Sequence, residues 1–374
     1  MKKKKNEKRK MKNAARKNAA RPSAKIILAT GVLLLFIFLF LFFVFGVRST
    51  ISEPAYFEVS GGAPVGAVAA ELNNKSFISN SAVFKISVYA FGGRVQRGGY
   101  DLPRRASTWR IARMLARGEI ASTTVVIPEG LTVKQIVQVL DANVFLRGSA
   151  CEGKGQKAKG RDINNEEISN NGKGLPSAFC LLPSDGSLFP DTYIVAKGTN
   201  RAAVLELMRA KMEKVKRGWE ASKRPAPAPL KNWNEIITLA SIVQKETPKV
   251  SEMPVVASVY LNRLRKKMKL QADPTVVYAM TDRLGDMQGL PLLTGHLKTD
   301  SPYNTYVRYG LPPAPIANVG SDAIAAVLNP ADTNYLFFVA DGQGGHRFAK
   351  DYAEHQKNHA NWREIKKKKV SNAN

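Results

Sequence analysis

Thr123-Thr124-Val125-Val126-Ile127-Pro128-Glu129-Gly130-Leu131-Thr132-Val133-Lys134-Gln135-Ile136-Val137-Gln138-Val139-Leu140 reads as a strand, a turn and a helix in immediate succession. Thr123 to Ile127 is a β-branched run, and branching at Cβ suits a pleated, half-buried surface. Pro128-Glu129-Gly130 turns the chain. Thr132 is then placed as a helix N-cap, its hydroxyl accepting from a free backbone N–H of the first turn. From there to Leu140 the apolar residues fall at helical spacing. Upstream, Tyr56 to Val59 and Gly99 to Leu102 are predicted strands. Pro64 to Leu72, Ser81 to Ala90 and Thr108 to Arg117 are predicted helices. Downstream, helices are predicted over Ala202 to Trp219, Asn234 to Thr247, Pro254 to Lys267 and Ser321 to Leu328, and a strand over Tyr335 to Ala340. Lys223 to Pro229 is a Pro/Ala-rich break, and Pro248 ends the second of these helices. Short strands among helices, without solenoid repeats, give an α+β fold.

The chain has 374 residues and a net charge of +27, and its basic excess is concentrated at the front. Residues 1–25 carry twelve Lys/Arg and one Glu, for +11, which leaves +16 for the rest. Ile26 to Val47 follows without a charge, rich in Leu and Phe on every face. At about 1.5 Å per residue this run is roughly 33 Å long, enough for a bilayer core. It exceeds the apolar region of a cleavable signal, and Gly46-Val47-Arg48-Ser49 offers no small-residue cleavage pattern. A single transmembrane helix is therefore expected. The positive-inside rule places residues 1–25 in the cytoplasm and 48–374 outside an inner membrane. The basic head also favours an anionic lipid bilayer. No zinc-finger, RRM-like or helix-turn-helix signature accompanies the charge, so nucleic acid is not an expected partner.

The expected organisation is a cytoplasmic head (1–25), the membrane helix (26–47), an α/β subdomain (55–145), an insertion (146–180), a mixed α+β domain (181–365) and a polar, frayed tail (366–374). The strand–G-x-T–helix unit in 55–145 resembles LysM modules, which bind glycans. Cys151 and Cys180 bracket a polar Gly/Lys/Asn/Glu-rich stretch on the oxidising side. A disulfide there is the preferred reading, and two free thiols are the alternative.

The chemistry centres on Leu239-Ala240-Ser241-Ile242-Val243-Gln244-Lys245-Glu246-Thr247. At 100° per residue, Ile236, Leu239, Ala240 and Val243 form an apolar stripe. Glu246 projects near it, and Lys245 points away. A carboxyl on an apolar face has its charged form disfavoured, which raises its pKa toward what a general acid needs. By pattern alone, a boundary glutamate paired with an arginine is the commoner outcome. Gln271-Ala272-Asp273-Pro274-Thr275 reads as a polar turn, and Ser301-Pro302-Tyr303-Asn304-Thr305-Tyr306 as a loop of hydroxyls, amide and aromatics. Such groups suit sugar recognition. His355 and His359 stand at i,i+4, but Gln356-Lys357-Asn358 between them lacks the glutamate of H-E-x-x-H, so no metal site is expected. Neither a G-x-S-x-G elbow nor a phosphate-binding G-x-x-x-x-G-K-[ST] loop occurs.

Several ordered motifs resemble the YceG-like endolytic murein transglycosylases. They are Val126 to Thr132, Leu188-Phe189-Pro190-Asp191-Thr192-Tyr193, Leu239 to Thr247, Val256 to Leu264, Leu270 to Tyr278, Tyr303 to Tyr306, and Phe338-Val339-Ala340-Asp341-Gly342. The resemblance implies a carbon–oxygen lyase acting on peptidoglycan. It would cleave between N-acetylmuramic acid and N-acetylglucosamine within nascent strands, leave a 1,6-anhydromuramic end, stop strand elongation, and need no metal or cofactor. The family's catalytic glutamate is the second of E-K-E-T, which corresponds to Glu246. Gln244 replaces the first, leaving Glu246 as the sole carboxyl of that motif. Asp185-Gly186-Ser187 stands where the family often has Glu-Gly, which leaves the role of Asp185 open. The expected substrate contacts are Gln271, Asp273, Thr275, Asn304, Thr305 and Tyr306. The expected partners are peptidoglycan glycan strands, peptidoglycan synthases (penicillin-binding proteins) and the lipid bilayer. A non-catalytic glycan-binding anchor and a lysozyme-like hydrolase are the competing readings.

Overall fold

The computed structural model of the chain describes residues 28–37, 40, 51–150, 182–287 and 289–371. Residues 28–37 are helical with exposed side chains. Half of the expected membrane helix (26–47) lies outside the described residues, as do Cys151 and Cys180. Among the described residues no helix is long and apolar enough to cross a membrane. The rest forms two compact units, one ending at Ala121 and one beginning at Ser122.

The first unit is a β–α–α–β arrangement with one further helix. Strand β1 (Ala55–Val59) pairs antiparallel with β2 (Gly98–Leu102), Ala55 opposite Leu102 and Val59 opposite Gly98. Between them run α1 (Val65–Asn74) and α2 (Ser81–Ala90), followed by α3 (Thr108–Arg117). Asn80 starts α2 by accepting from the Ala82 and Val83 N–H groups, and Ser107 does the same for α3 through Arg110. Helix α3 ends on Gly118 in the left-handed conformation, φ +70°. Its buried residues, Thr108, Ile111, Ala112, Met114 and Leu115, fall three or four apart or adjacent and so share one side. The four apolar ones join Phe57, Leu72, Phe84, Val88, Tyr100 and Leu102 in one core. Each such large apolar side chain contributes about 1.5–3 kcal/mol on burial.

The second unit begins where the sequence places the middle of a domain. Strand β3 (Ser122–Val126) pairs with β4 (Thr192–Ala196), Ser122 opposite Ala196 and Val126 opposite Thr192. That pairing draws residues 122–145 away from the expected 55–145 subdomain and into the second unit. Helix α4 (Val133–Ala142) follows β3 and starts at Thr132 with a reciprocal capping box to Gln135. It packs with α5 (Arg201–Ala221) around Ile136, Leu140, Leu188, Val204 and Met208. A second core joins α6 (Trp233–Glu246), α7 (Met253–Arg265), α8 (Asp273–Met280) and α9 (Ser321–Leu328). The hairpin β5 (Phe337–Ala340)–β6 (His346–Ala349) and α10 (Tyr352–Ser371) complete the unit. Helix α10 runs to Ser371, so the segment expected to fray from Lys366 is helical over most of its length.

Asn318 ties three loops together. Its buried side chain accepts from the Gly186 and Leu188 N–H groups, both at 3.0 Å, and donates to the Leu131 carbonyl at 3.0 Å. Asp185 adds a second tie. One carboxyl oxygen accepts from the Val133 N–H at the start of α4, and the other from the Tyr278 hydroxyl on α8, both at 2.6 Å. Burial pushes the Asp185 pKa up, and these two hydrogen bonds oppose the rise. Asp185 thus holds elements in place, which gives it a structural role.

Candidate active site

The site is built from the C-terminal end of α6. Ile236 through Val243 are all buried, so the helix passes through the core and reaches its surface only in the last turn. Glu246 is its final residue. Thr247 then adopts extended backbone, with its hydroxyl accepting from the Lys249 N–H at 3.1 Å. At Gln244 the amide oxygen accepts from the Gly320 N–H at 3.1 Å, which fixes the start of α9 against α6. A Cβ at Gly320 would meet the Glu129 carboxylate, which would have to swing aside to admit it.

Two residues one turn apart on α7 face Glu246. The hydroxyl of Tyr260 donates to Glu246 Oε1 at 2.6 Å. Tyr260 is fully buried, and its ring stands edge-on to Phe338 at 5.9 Å. Arg263 is also buried. It donates from Nε to the Leu336 carbonyl at 2.6 Å and from its terminal nitrogen to the Leu270 carbonyl at 2.7 Å, and it lies over the Phe337 ring at 5.2 Å. Its hydrogen bonds go to neutral carbonyl oxygens, so its positive charge is felt by Glu246, Tyr260 and Tyr306. On the other side Asp273, in the first turn of α8, accepts from the Tyr306 hydroxyl at 2.5 Å.

These neighbours pull Glu246 in opposite directions. Glu246 keeps part of its surface, yet burial of the carboxyl pushes its pKa from 4.5 up to about 7. The hydrogen bond from Tyr260 opposes the rise, the negative charge of Asp273 adds to it, and Arg263 opposes it. Desolvation therefore dominates. The phenols of Tyr260 and Tyr306 are both raised by burial and by neighbouring carboxylates, so both remain hydrogen-bond donors.

The expected sugar contacts separate into two sets. Gln271 and Asp273 are exposed, and Tyr306 is half-buried beside them. Thr275, Asn304 and Thr305 are buried and committed to the chain itself. The Thr275 and Thr305 hydroxyls lie 2.9 Å apart, and Thr305 Oγ1 accepts from the Ala272 N–H at 2.9 Å. The Asn304 amide donates to the Leu297 and Thr299 carbonyls at 3.0 and 2.7 Å and accepts from the Tyr306 N–H at 2.9 Å. These three bind the 271–275 and 301–306 segments together and so position Asp273 and Tyr306. Neither Tyr260 nor Arg263 stands out in the sequence as a site residue. Both stand in Val256 to Leu264, where a tyrosine among apolar residues reads as core.

Among the described residues no group of three or more His, Cys, Asp or Glu side chains could hold a metal. His355 stacks on Phe337 at 5.1 Å, and His359 meets Trp362 at 5.5 Å, so both serve aromatic packing. Grooves of about 560 and 570 Å³ are lined by Trp233, Asn234 and Ile237 and by Asn232, Glu235 and Thr238 respectively. Both lie toward the N-terminal end of α6, about 12–20 Å along the helix from Glu246.

A single carboxyl pushed up toward neutrality by burial, hydrogen-bonded on one oxygen and reaching the surface, is chemically suited to give and take a proton. The comparisons place it in a family. The YceG-like family profile matches residues 57–361, and the chain belongs to that family. An endolytic murein transglycosylase of Bacillus subtilis (strain 168) is 28% identical over 319 residues, covering 80% of this chain and 82% of that protein. The Streptococcus pneumoniae (D39) protein of the same description is also 28% identical over 80% of this chain, which spans 56% of its length. A crystal structure of a YceG-like protein from Listeria monocytogenes is 26% identical, covers 82% of this chain and 99% of its own, and superposes with a TM-score of 0.45.

Proposed function

We propose that this chain is an endolytic peptidoglycan lytic transglycosylase with Glu246 as its sole acid–base residue. The observation that carries the reading is the Glu246 carboxyl, pushed up to about 7 at the exposed end of an otherwise buried helix. Near neutral pH a substantial fraction of it is protonated. The acid gives its proton to the oxygen linking N-acetylmuramic acid to N-acetylglucosamine, and the bond from that oxygen to the anomeric carbon breaks. The muramic C6 hydroxyl attacks the anomeric carbon, and the Glu246 carboxylate takes the hydroxyl proton. One bond breaks, one forms, and Glu246 ends protonated as it began. Ordinary glycosidases use two carboxylates, the second either activating water or attacking the sugar itself. An internal hydroxyl, helped by the substrate's N-acetyl group, replaces the second. Gln271, Asp273 and Tyr306 face the sugars, and Thr275, Asn304 and Thr305 hold the segments that carry them.

In this reading the first unit, with its β–α–α–β order, is a LysM-like glycan-binding module. Residues 26–47 form a single inner-membrane helix with residues 1–25 cytoplasmic. One such anchor keeps the enzyme beside newly made strands, where peptidoglycan synthases are its natural partners.

The test is mass analysis of purified-sacculus digests made with the wild type and with Glu246→Gln. An anhydro end one water lighter than a reducing end is expected from the wild type. Glu246→Gln should lose about two to four orders of magnitude in rate. Reducing ends would indicate a hydrolase, no cleavage a binding protein, and near-wild-type turnover by folded Glu246→Gln a different acid.

A further inference from the structure

Glu246 has two carboxyl oxygens, and the reaction needs its proton on one of them, in a fixed direction. The buried hydroxyl of Tyr260 points at Oε1 from 2.6 Å. Its buried ring stands edge-on to Phe338, which fixes the side from which the hydroxyl approaches the carboxyl. An oxygen that already accepts a short hydrogen bond is the poorer site for a proton, so the proton resides on Oε2.

We propose that Tyr260 is a positioning residue of the acid–base cycle, holding the Glu246 carboxyl so that Oε2 alone gives and takes the proton and steadying the carboxylate in between. This rests on the reading of Glu246 as the acid–base group. In the cycle, Oε2–H passes its proton to the glycosidic oxygen as the bond to the anomeric carbon breaks. The C6 hydroxyl then returns a proton to Oε2 as its oxygen bonds to the anomeric carbon. Tyr260 keeps its own proton throughout, because burial and the adjacent Glu246 charge hold its phenol well above the usual range. Its hydrogen bond strengthens when Glu246 is ionised, since charge-assisted bonds are the stronger ones. The groups acting on the carboxyl from the surrounding elements are Tyr260 and Arg263 of α7 and Asp273 of α8. Of these, only Tyr260 touches Glu246 through a hydrogen bond on the residues described.

Tyr260→Phe in the full chain isolates the hydroxyl, because the ring and its packing on Phe338 are kept. The expected result is a roughly 10- to 100-fold fall in kcat with KM little changed, as for a group displaced from its working geometry. The alkaline limb of the kcat/KM profile should also move to higher pH, since the lost bond favoured the carboxylate. A folded Tyr260→Phe protein with unchanged kcat and an unchanged alkaline limb would overturn the proposal. So would a loss of thermal stability with no movement of the limb. Infrared difference titration, subtracting the Glu246→Gln spectrum from that with Glu246 in place, reads the carboxyl pKa without turnover. An upward shift in Tyr260→Phe supports the proposal, and an unmoved titration refutes it. Should Glu246→Gln retain cleavage, the functional reading fails, while the titration still judges the Tyr260 bond by itself.

Discussion

Replacing Glu246 by glutamine should make the protein more stable at alkaline pH while it removes catalysis. The folded chain holds this carboxyl at about 7 against an ordinary 4.5, so the native state binds the proton more tightly than the unfolded state. For an acid with a raised pKa, stability is fully present below about 4.5 and is lost as pH rises through the interval to about 7. Each unit is worth about 1.4 kcal/mol, so the whole interval sets an upper bound of roughly 3 kcal/mol. Glu246 keeps contact with solvent, which reduces this to about 2 kcal/mol between pH 5 and pH 8. Glutamine cannot ionise, yet its amide oxygen can still accept from Tyr260. Urea unfolding of both proteins at pH 5 and pH 8, followed by tryptophan fluorescence, gives the difference directly. The stability gap between Glu246→Gln and wild type should widen by about 2 kcal/mol toward alkaline pH. A gap that stays the same within about 0.5 kcal/mol would refute the argument that burial controls this carboxyl.

Three further outcomes can be checked. Asp273→Asn removes the negative charge that raises Glu246, so the alkaline limb of kcat/KM should move to lower pH; a limb that stays or rises contradicts the electrostatics described. Asn318→Ala orphans the Gly186 and Leu188 N–H groups, at about 1–3 kcal/mol each, while the Leu131 carbonyl keeps its bond from the backbone N–H of residue 318 at 2.8 Å. A total loss of about 3–5 kcal/mol is expected in denaturant unfolding, and a loss below 1 kcal/mol would show that other groups or water replace it. A reporter active only when exported, fused after Asn374, should be active, and an inactive fusion that is stably made would reverse the proposed topology.

Periodicity and capping signals made the helices legible wherever one face is apolar. Ser81–Ala90, Thr108–Arg117 and Ser321–Leu328 are helices over the residues read from the sequence. Thr132 caps its helix because hydroxyl and Gln135 amide sit three apart, a spacing visible in the chain. Helix α8 was missed because Asp273-Pro274 reads as a turn. Proline in a helix's first turn gives up only an N–H that lacks a partner anyway, so the same residues also suit a helix start. Strand β4 carries no clear alternation because Val195 alone of its five residues is fully buried. At the site, Glu246 was legible from its place beside an apolar stripe. Thr275, Asn304 and Thr305 look like sugar ligands in sequence. Whether an amide or hydroxyl faces solvent or a neighbouring backbone carbonyl depends on how two separate segments meet, and composition does not encode that.

The pairing of β3 with β4 brackets residues 151–181, and Arg201 closes the same gap from the far side. Its guanidinium donates to the Leu140 carbonyl at 2.9 Å and the Gly148 carbonyl at 2.6 Å, while the Arg147 N–H donates to the Thr199 carbonyl at 3.0 Å and the Arg147 carbonyl accepts from the Arg201 N–H at 2.9 Å. The chain before and after the stretch is thus fastened by contacts that involve none of its residues. A tag inserted between Ala150 and Leu182 is therefore expected to leave these ties, and with them the strand pairing beside the Glu246 unit, in place.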